Sequence, residues 1–163
     1  MKRILVFGIG NPGRGDDALG SFVIERLESW AAEQQLGDAL TLDANYQLMA
    51  EDALAVSEHD IVIFVDASME HIDGLLFTRV HPAGRIAFST HAMSAESIVA
   101  LAQELYGCET ETYMLHLEGA SYEFQEPLSR TAERALESGV RFLTELIAET
   151  HRTGELPTEN LHA

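Results

Sequence analysis

Ile4-Leu5-Val6-Phe7-Gly8-Ile9-Gly10-Asn11-Pro12-Gly13-Arg14-Gly15-Asp16-Asp17 is the stretch on which the reading of this chain turns. Its first six residues form an unbroken apolar run rich in strand formers. That pattern belongs to a strand buried on both faces, as in a parallel sheet. Gly10 to Gly15 is turn chemistry. Beyond it, Leu19, Phe22, Val23, Leu27, Trp30 and Ala31 recur at helical spacing. Asp16 or Asp17 stands where a carboxylate can accept the free N–H groups of a helix start. The stretch therefore predicts strand, glycine-rich turn and helix in immediate succession.

The same alternation continues along the rest of the chain. Leu40–Asn45 predicts a second, shorter strand and Met49–Val56 one or two helical turns. Ile61–Val65 is the strongest strand signal, ending at Asp66. Leu75–Val80, after the turn at Asp73-Gly74, predicts an edge strand. Ile98, Leu101, Ala102 and Leu105 mark a helix entered at Ser94, and Thr112–Leu117 another strand. A last helix runs from about Ser129 to about Thr150 on the stripe Ala132, Leu136, Val140, Leu143 and Ile147. Alternating strands and helices imply the α/β class: a three-layer α/β/α sandwich around a mostly parallel sheet of about five strands. One domain over residues 1–150 is expected, with residues 151–163 a polar, frayed tail. In such sheets ligands sit beyond the carboxyl ends of the strands. That directs attention to Asn11, Asp16 and Asp17, to Asp43, and to Asp66.

Composition narrows the function. The 163 residues carry 27 acids against 10 Lys and Arg, a formal charge of −17. So acidic a surface repels phosphate backbones and anionic lipid, which argues against nucleic acid or membrane as a partner. No apolar run approaches the ~20 residues that a bilayer requires. Lys2-Arg3 before Ile4–Phe7 looks superficially like a signal peptide, but Gly8, Gly10 and Asn11 interrupt the short apolar stretch. The single Cys108 cannot pair within the chain, and a reducing cytoplasm is the expected location.

Gly8 to Gly13 matches G-x-G-x-x-G and follows a strand, so dinucleotide binding is the alternative reading. Against it, Pro12 removes a donor, and Asp16 and Asp17 bring negative charge to the helix end that would face a pyrophosphate. No phosphate-binding G-x-x-x-x-G-K-[ST] loop and no G-x-S-x-G elbow is present. Cys108 has no evident base partner and reads as a small structural residue. Carboxylates remain. Asp17 and Asp66 lie at strand ends that converge in a parallel sheet, where they either share a proton as an acid–base pair or ligate a metal. His91, in Ser89-Thr90-His91 just before a helix, is a third candidate. Two carboxylates and an imidazole suit zinc, iron, manganese or nickel. The other six histidines read as structural or exposed, and Asp16 as a helix cap.

Together, Gly8-Ile9-Gly10-Asn11 through Asp16-Asp17-Ala18-Leu19-Gly20, Val65-Asp66-Ala67 and Ser89-Thr90-His91 resemble the three motifs of the nickel-iron hydrogenase maturation proteases, over about residues 3–150. The resemblance implies an endopeptidase that removes the C-terminal extension of a hydrogenase large-subunit precursor once nickel has been inserted. It further implies that Asp17, Asp66 and His91 recognise the precursor's nickel, with Asp17 and Asp66 serving catalysis. Asp43 matches an Asp that some members carry in Asp-Gly-Gly-Thr, and is carried over as a substrate-recognition residue. Here Asp43-Ala44-Asn45-Tyr46 lacks the glycines, and Gln47-Leu48 follows, as in a subgroup with a Gln-Leu pair. Nickel is expected to arrive with the substrate, and the chain to be a monomer or weak homo-oligomer.

Overall fold

The computed structural model describes residues 1–87, 92–159 and 161–162. Strand β1 spans Ile4–Ile9, helix α1 Leu19–Gln34, β2 Leu40–Asn45, α2 Asp52–Ser57 and β3 Ile61–Ser68. Then come β4 at Leu75–Arg79, α3 at Ala95–Tyr106, β5 at Glu111–Glu118 and α4 at Arg130–Thr153. The five strands lie in the order β2-β1-β3-β5-β4. All pairs are parallel except β4 against β5. The expected mostly parallel sheet is present, and β4 is the edge strand that its sequence suggests.

Apolar pattern decides which strands are central. All six residues of β1 are buried, as are the first five of β3, because both faces of these strands are covered. The outer strand β2 alternates half-buried and exposed residues. On one face, Ile4, Val6, Ile61, Ile63 and Val65 pack with Leu19, Val23 and Leu27 of α1 and Leu143 and Ile147 of α4. On the other, Leu5, Phe7, Val62 and Phe64 pack with Val56 of α2 and Ile98, Val99 and Ala102 of α3. These are the two outer layers.

Helix α1 lies unusually close to β1. A methyl group on Gly8 would overlap the Gly20 carbonyl oxygen, and one on Gly20 would come within 2.6 Å of the Ile9 amide nitrogen. The two glycines let backbone meet backbone and so fix where the β1–α1 connection emerges. Gly8→Ala is expected to destabilise the fold by about 1–3 kcal/mol through overpacking, read as a fall in the urea midpoint.

Three sequence expectations need correction. Strand β3 does not end at Asp66 but runs to Ser68, because Asp66, Ala67 and Ser68 continue the ladder with His116, Leu117 and Glu118. Asp66 therefore projects from a strand and not from a loop. Helix α1 begins at Leu19 after a 3-10 turn over Gly15–Ala18, and no side chain caps it. The segment from His151 onward is not simply frayed. Helix α4 continues to Thr153 and stops at Gly154, whose φ of 82° suits a left-handed cap. Beyond it Leu156 is buried, and the His162 amide donates to the Phe77 carbonyl at 2.8 Å, beside the β4 edge. Short apolar anchors in a polar segment leave no periodicity to read.

Candidate functional site

Strand β1 leads outward to β2 on one side, while β3 lies on its other side. The crevice at such a reversal is where open α/β sheets place their ligands. The turn after β1 and the end of β3 meet there, and each contributes one carboxylate.

The glycine-rich turn is held by its own chain. The Gly10 amide donates to the Asn45 carbonyl at 3.1 Å and the Arg14 amide to the Asn11 carbonyl at 3.1 Å. The Gly13 amide donates to Asn11 Oδ1 at 2.8 Å, and the Asn11 amide to Asp17 Oδ2 at 2.8 Å. Gly10 has φ 135°, and a Cβ there would overlap the Asp17 carbonyl oxygen. The N–H groups that a pyrophosphate would require thus serve the turn itself, and one is already occupied by a carboxylate. This explains why a literal G-x-G-x-x-G match here does not build a dinucleotide site.

Asp16 and Asp17 are neighbours on the 3-10 turn but have different tasks. Asp16 is fully buried at 0% exposure. It accepts from the Ala120 amide at 2.6 Å, the Ser121 amide at 2.9 Å, the Ser129 amide at 2.8 Å and Ser129 Oγ at 2.6 Å. Burial pushes its pKa up, but these bonds outweigh burial and hold the carboxyl below its ordinary value. The expectation of a helix cap is thereby corrected. Asp16 ties the β5–α4 connection, and the N-cap Ser129 of α4, to the turn that carries Asp17.

Asp17 is half-buried beside Asp66. Burial, then the charge of Asp17, push the Asp66 carboxyl up to about 7, although the Ala67 amide acts in the opposite sense. Two carboxylates are thus close enough to feel each other's charge in partly dry surroundings, an arrangement that favours either a shared proton or a cation. His116 is the register partner of Asp66 on β5. Burial depresses its pKa, and its Nε2 lies 3.2 Å from Thr78 Oγ1.

Of the remaining residues singled out in the sequence, Asp43 is exposed on β2, level with Phe7 of β1, and its Oδ1 accepts from the Ala44 amide at 2.8 Å. Its charge acts on Asp52 of α2. His91, with Ser89 and Thr90, lies outside the described residues. Among the described residues no three His, Cys, Asp or Glu side chains gather as a metal site. The described residues that follow His91, namely Ala92, Met93 and Ser94, line a cavity together with Asp66.

Tyr122 was not legible in the sequence. Its ring lies over Gly119, where an added methyl group would overlap the hydroxyl. Burial, then the charges of Asp16, Asp17 and Asp66, push its pKa to about 12. The hydroxyl oxygen is buried with no hydrogen-bond partner among the described residues. An unpaired buried hydroxyl costs about 1–3 kcal/mol. Tyr122→Phe is therefore expected to raise the melting temperature by a few degrees, and an unchanged or lower value in calorimetry would show that the hydroxyl has a partner.

Comparison with solved structures adds to this geometry. A NiFe hydrogenase maturation protease, HycI from Thermococcus kodakarensis, superposes with a TM-score of 0.68 and 25% identity over 90% of this chain and 93% of its own. The chain shares the fold of nickel-iron hydrogenase maturation proteases. The hydrogenase maturating endopeptidase HybD from Escherichia coli has the same fold, with a TM-score of 0.63 and 22% identity over 93% of this chain and 94% of its own. So does a hydrogenase 2 maturation peptidase from a Thaumarchaeota archaeon, with a TM-score of 0.64 and 22% identity over 90% and 99%. No protein-family model and no curated protein matches the sequence. In this maturation-protease fold, no helix among the described residues is long and apolar enough to cross a membrane.

Proposed function

We propose that the chain is an endopeptidase that removes the C-terminal extension of a nickel-iron hydrogenase large-subunit precursor after nickel insertion. The observation that carries this reading is the Asp17–Asp66 pair. Two acids far apart in sequence meet at the sheet's switch point, and the charge of one raises the pKa of the other. Such a pair is relieved by a divalent cation, and nickel delivered within the substrate supplies one. His91 is the third group in this reading, a nitrogen donor that complements two oxygens.

The chain's own residues divide the work. Asp17 and Asp66 receive the metal-bearing end of the precursor, and one of them in its ionised form can take a proton from water that attacks the scissile amide. The bound nickel supplies Lewis acidity at that amide. Asp16 holds the turn that presents Asp17. Asp43, exposed on the outer strand, is available to contact the docked precursor away from the bond that is cut. Because the cation comes with the substrate, ordinary peptides remain uncut and cleavage cannot precede metal insertion.

The test is incubation with nickel-loaded and nickel-free precursor, followed by mass spectrometry. Loss of a C-terminal fragment from the loaded precursor alone is expected. Intact mass in both arms would overturn the reading, and equal cleavage in both would remove nickel from it. The dinucleotide alternative predicts micromolar nucleotide binding that survives Asp17→Ala. The occupied amides of the Gly10–Asp17 turn argue that equilibrium dialysis will show none.

A further inference from the structure

Large apolar side chains stand exposed just beyond the carboxyl ends of three strands. Tyr46 follows β2 and is 63% exposed, Met69 follows β3 and is 82% exposed, and Phe124, in the β5–α4 connection, is 65% exposed. In the order β2-β1-β3-β5 they flank the ends that carry Asp17 and Asp66, with roughly 14 Å between β2 and β5 at the usual strand spacing. The turn after β1 adds Arg14, whose guanidinium lies 6.0 Å from the centroid of the Phe124 ring. Single exposed apolar residues are ordinary, but three large ones around one crevice mark a contact surface. Their backbones are held in place. The Tyr46 amide donates to Asn45 Oδ1 at 2.8 Å, the Glu70 amide beside Met69 to Ser68 Oγ at 3.1 Å, and the Gln125 amide beside Phe124 to the Gly13 carbonyl at 2.8 Å. Side chains presented on ordered turns lose less freedom when they bind.

We propose that Tyr46, Met69 and Phe124 form a docking collar for a folded face of the precursor, one with apolar pockets rimmed by Lys and Arg. The inference rests on the function proposed above. A loose peptide is held by a groove that encloses its side chains. Here the side chains protrude, so the pockets that receive them belong to the partner, and only a folded body has pockets. Aromatic residues and Met are the groups that anchor such contacts. Charge sets the rest of the partner's chemistry. Arg14 is the one Lys or Arg in the connections after β1, β2, β3 and β5, and it sits against Phe124. Glu70, Glu123 and Glu126 are exposed beside the anchors. A basic face is drawn to such a collar, whereas a second copy of this chain, with its formal charge of −17, brings like charge to it. The collar thus grips the body of the precursor while the carboxylate pair acts on its C-terminal end.

The experiment uses the full chain and nickel-loaded precursor, with initial rates read by mass spectrometry. Tyr46→Ser, Met69→Ser and Phe124→Ser are compared with Leu105→Ser, which removes a leucine 59% exposed near the end of α3, at the far end of the sheet. KM is expected to rise about tenfold or more for Tyr46→Ser and Phe124→Ser, and less for Met69→Ser, with kcat unchanged. Leu105→Ser should match the wild-type chain. Wild-type KM should rise with salt, because the attraction between an acidic collar and a basic face is screened. Melting temperatures should stay within about 2–4 °C, since the groups removed are exposed. If native precursor is cut and KM is unchanged in all three variants, the collar is wrong and the proposed function stands. A fall in kcat alone would place these residues in the chemistry and overturn the docking role. A KM indifferent to salt overturns the basic partner. Inhibition by a synthetic peptide of the excised extension, lost in Phe124→Ser, would replace the folded face by an extended segment. A dimer of the full chain in sedimentation equilibrium that Phe124→Ser dissociates would assign the collar to a second copy. If loaded native precursor is not cut at all, both readings fall.

Discussion

Asp66→Asn is expected to lower precursor processing by about 10²–10⁴-fold while making the protein more stable above pH 7. The two effects have one cause. Asp66 sits partly dry at the end of β3 with the charge of Asp17 nearby, and its pKa is about 7. The folded state therefore holds this proton more tightly than the unfolded state does. The stability it contributes is complete below the ordinary value of 3.8 and is lost as pH rises through about 7. Asparagine carries no charge to desolvate, so the variant should gain about 1–3 kcal/mol at pH 8 and much less at pH 4. Urea denaturation at the two pH values measures the difference. In the wild-type chain, kcat/KM should rise with pH through about 7, because the ionised carboxylate is the form that receives a cation or a proton. Undiminished processing by Asp66→Asn would remove this residue from the chemistry, whatever its effect on stability.

Asp16→Ala should act on stability in the opposite direction. This carboxylate is fully buried and accepts four hydrogen bonds, three from amides and one from the Ser129 hydroxyl. Removing it leaves those donors unpaired in the interior. Each buried donor left unsatisfied costs about 1–3 kcal/mol, so the loss is a large share of the roughly 5–15 kcal/mol that holds a domain together. The urea midpoint should fall accordingly, and processing should fall with it because the turn carrying Asp17 loses its anchor. The pH dependence has the reverse sign from that of Asp66. Asp16 has a lowered pKa, so its contribution is present above the ordinary 3.8 and disappears as pH falls through the lower folded value. A variant that keeps its urea midpoint would show that the strap is dispensable. Asp16 and Asp66 thus separate experimentally, one through folding and one through chemistry.

Much of the fold was legible because its signals are local. The apolar run Ile4–Ile9 and the run Ile61–Val65 read as strands buried on both faces, and they are the central strands. Ser94 and Ser129 read as helix entries, and each side chain does accept an N–H from three residues onward. The polarity of Asp66 interrupts the apolar pattern and reads as a loop, yet the ladder with β5 keeps its backbone in strand geometry. Tyr122 and Leu156 left no trace, since neither belongs to a periodic segment and each acts through contacts made by distant parts of the chain.

Class and order of elements can be read along the chain, as can the candidacy of Asp17 and Asp66. Hydrophobic periodicity, turn chemistry and short motifs are written within a few residues of one another, so no distance need be known to read them. It took the folded chain to make Asp16 a strap and not a cap, to let Asp17 raise the pKa of Asp66, and to set an apolar cavity beside Asp66. Those properties depend on burial and on separations through space. Both arise only when strands and loops far apart along the chain are brought to the same end of the sheet.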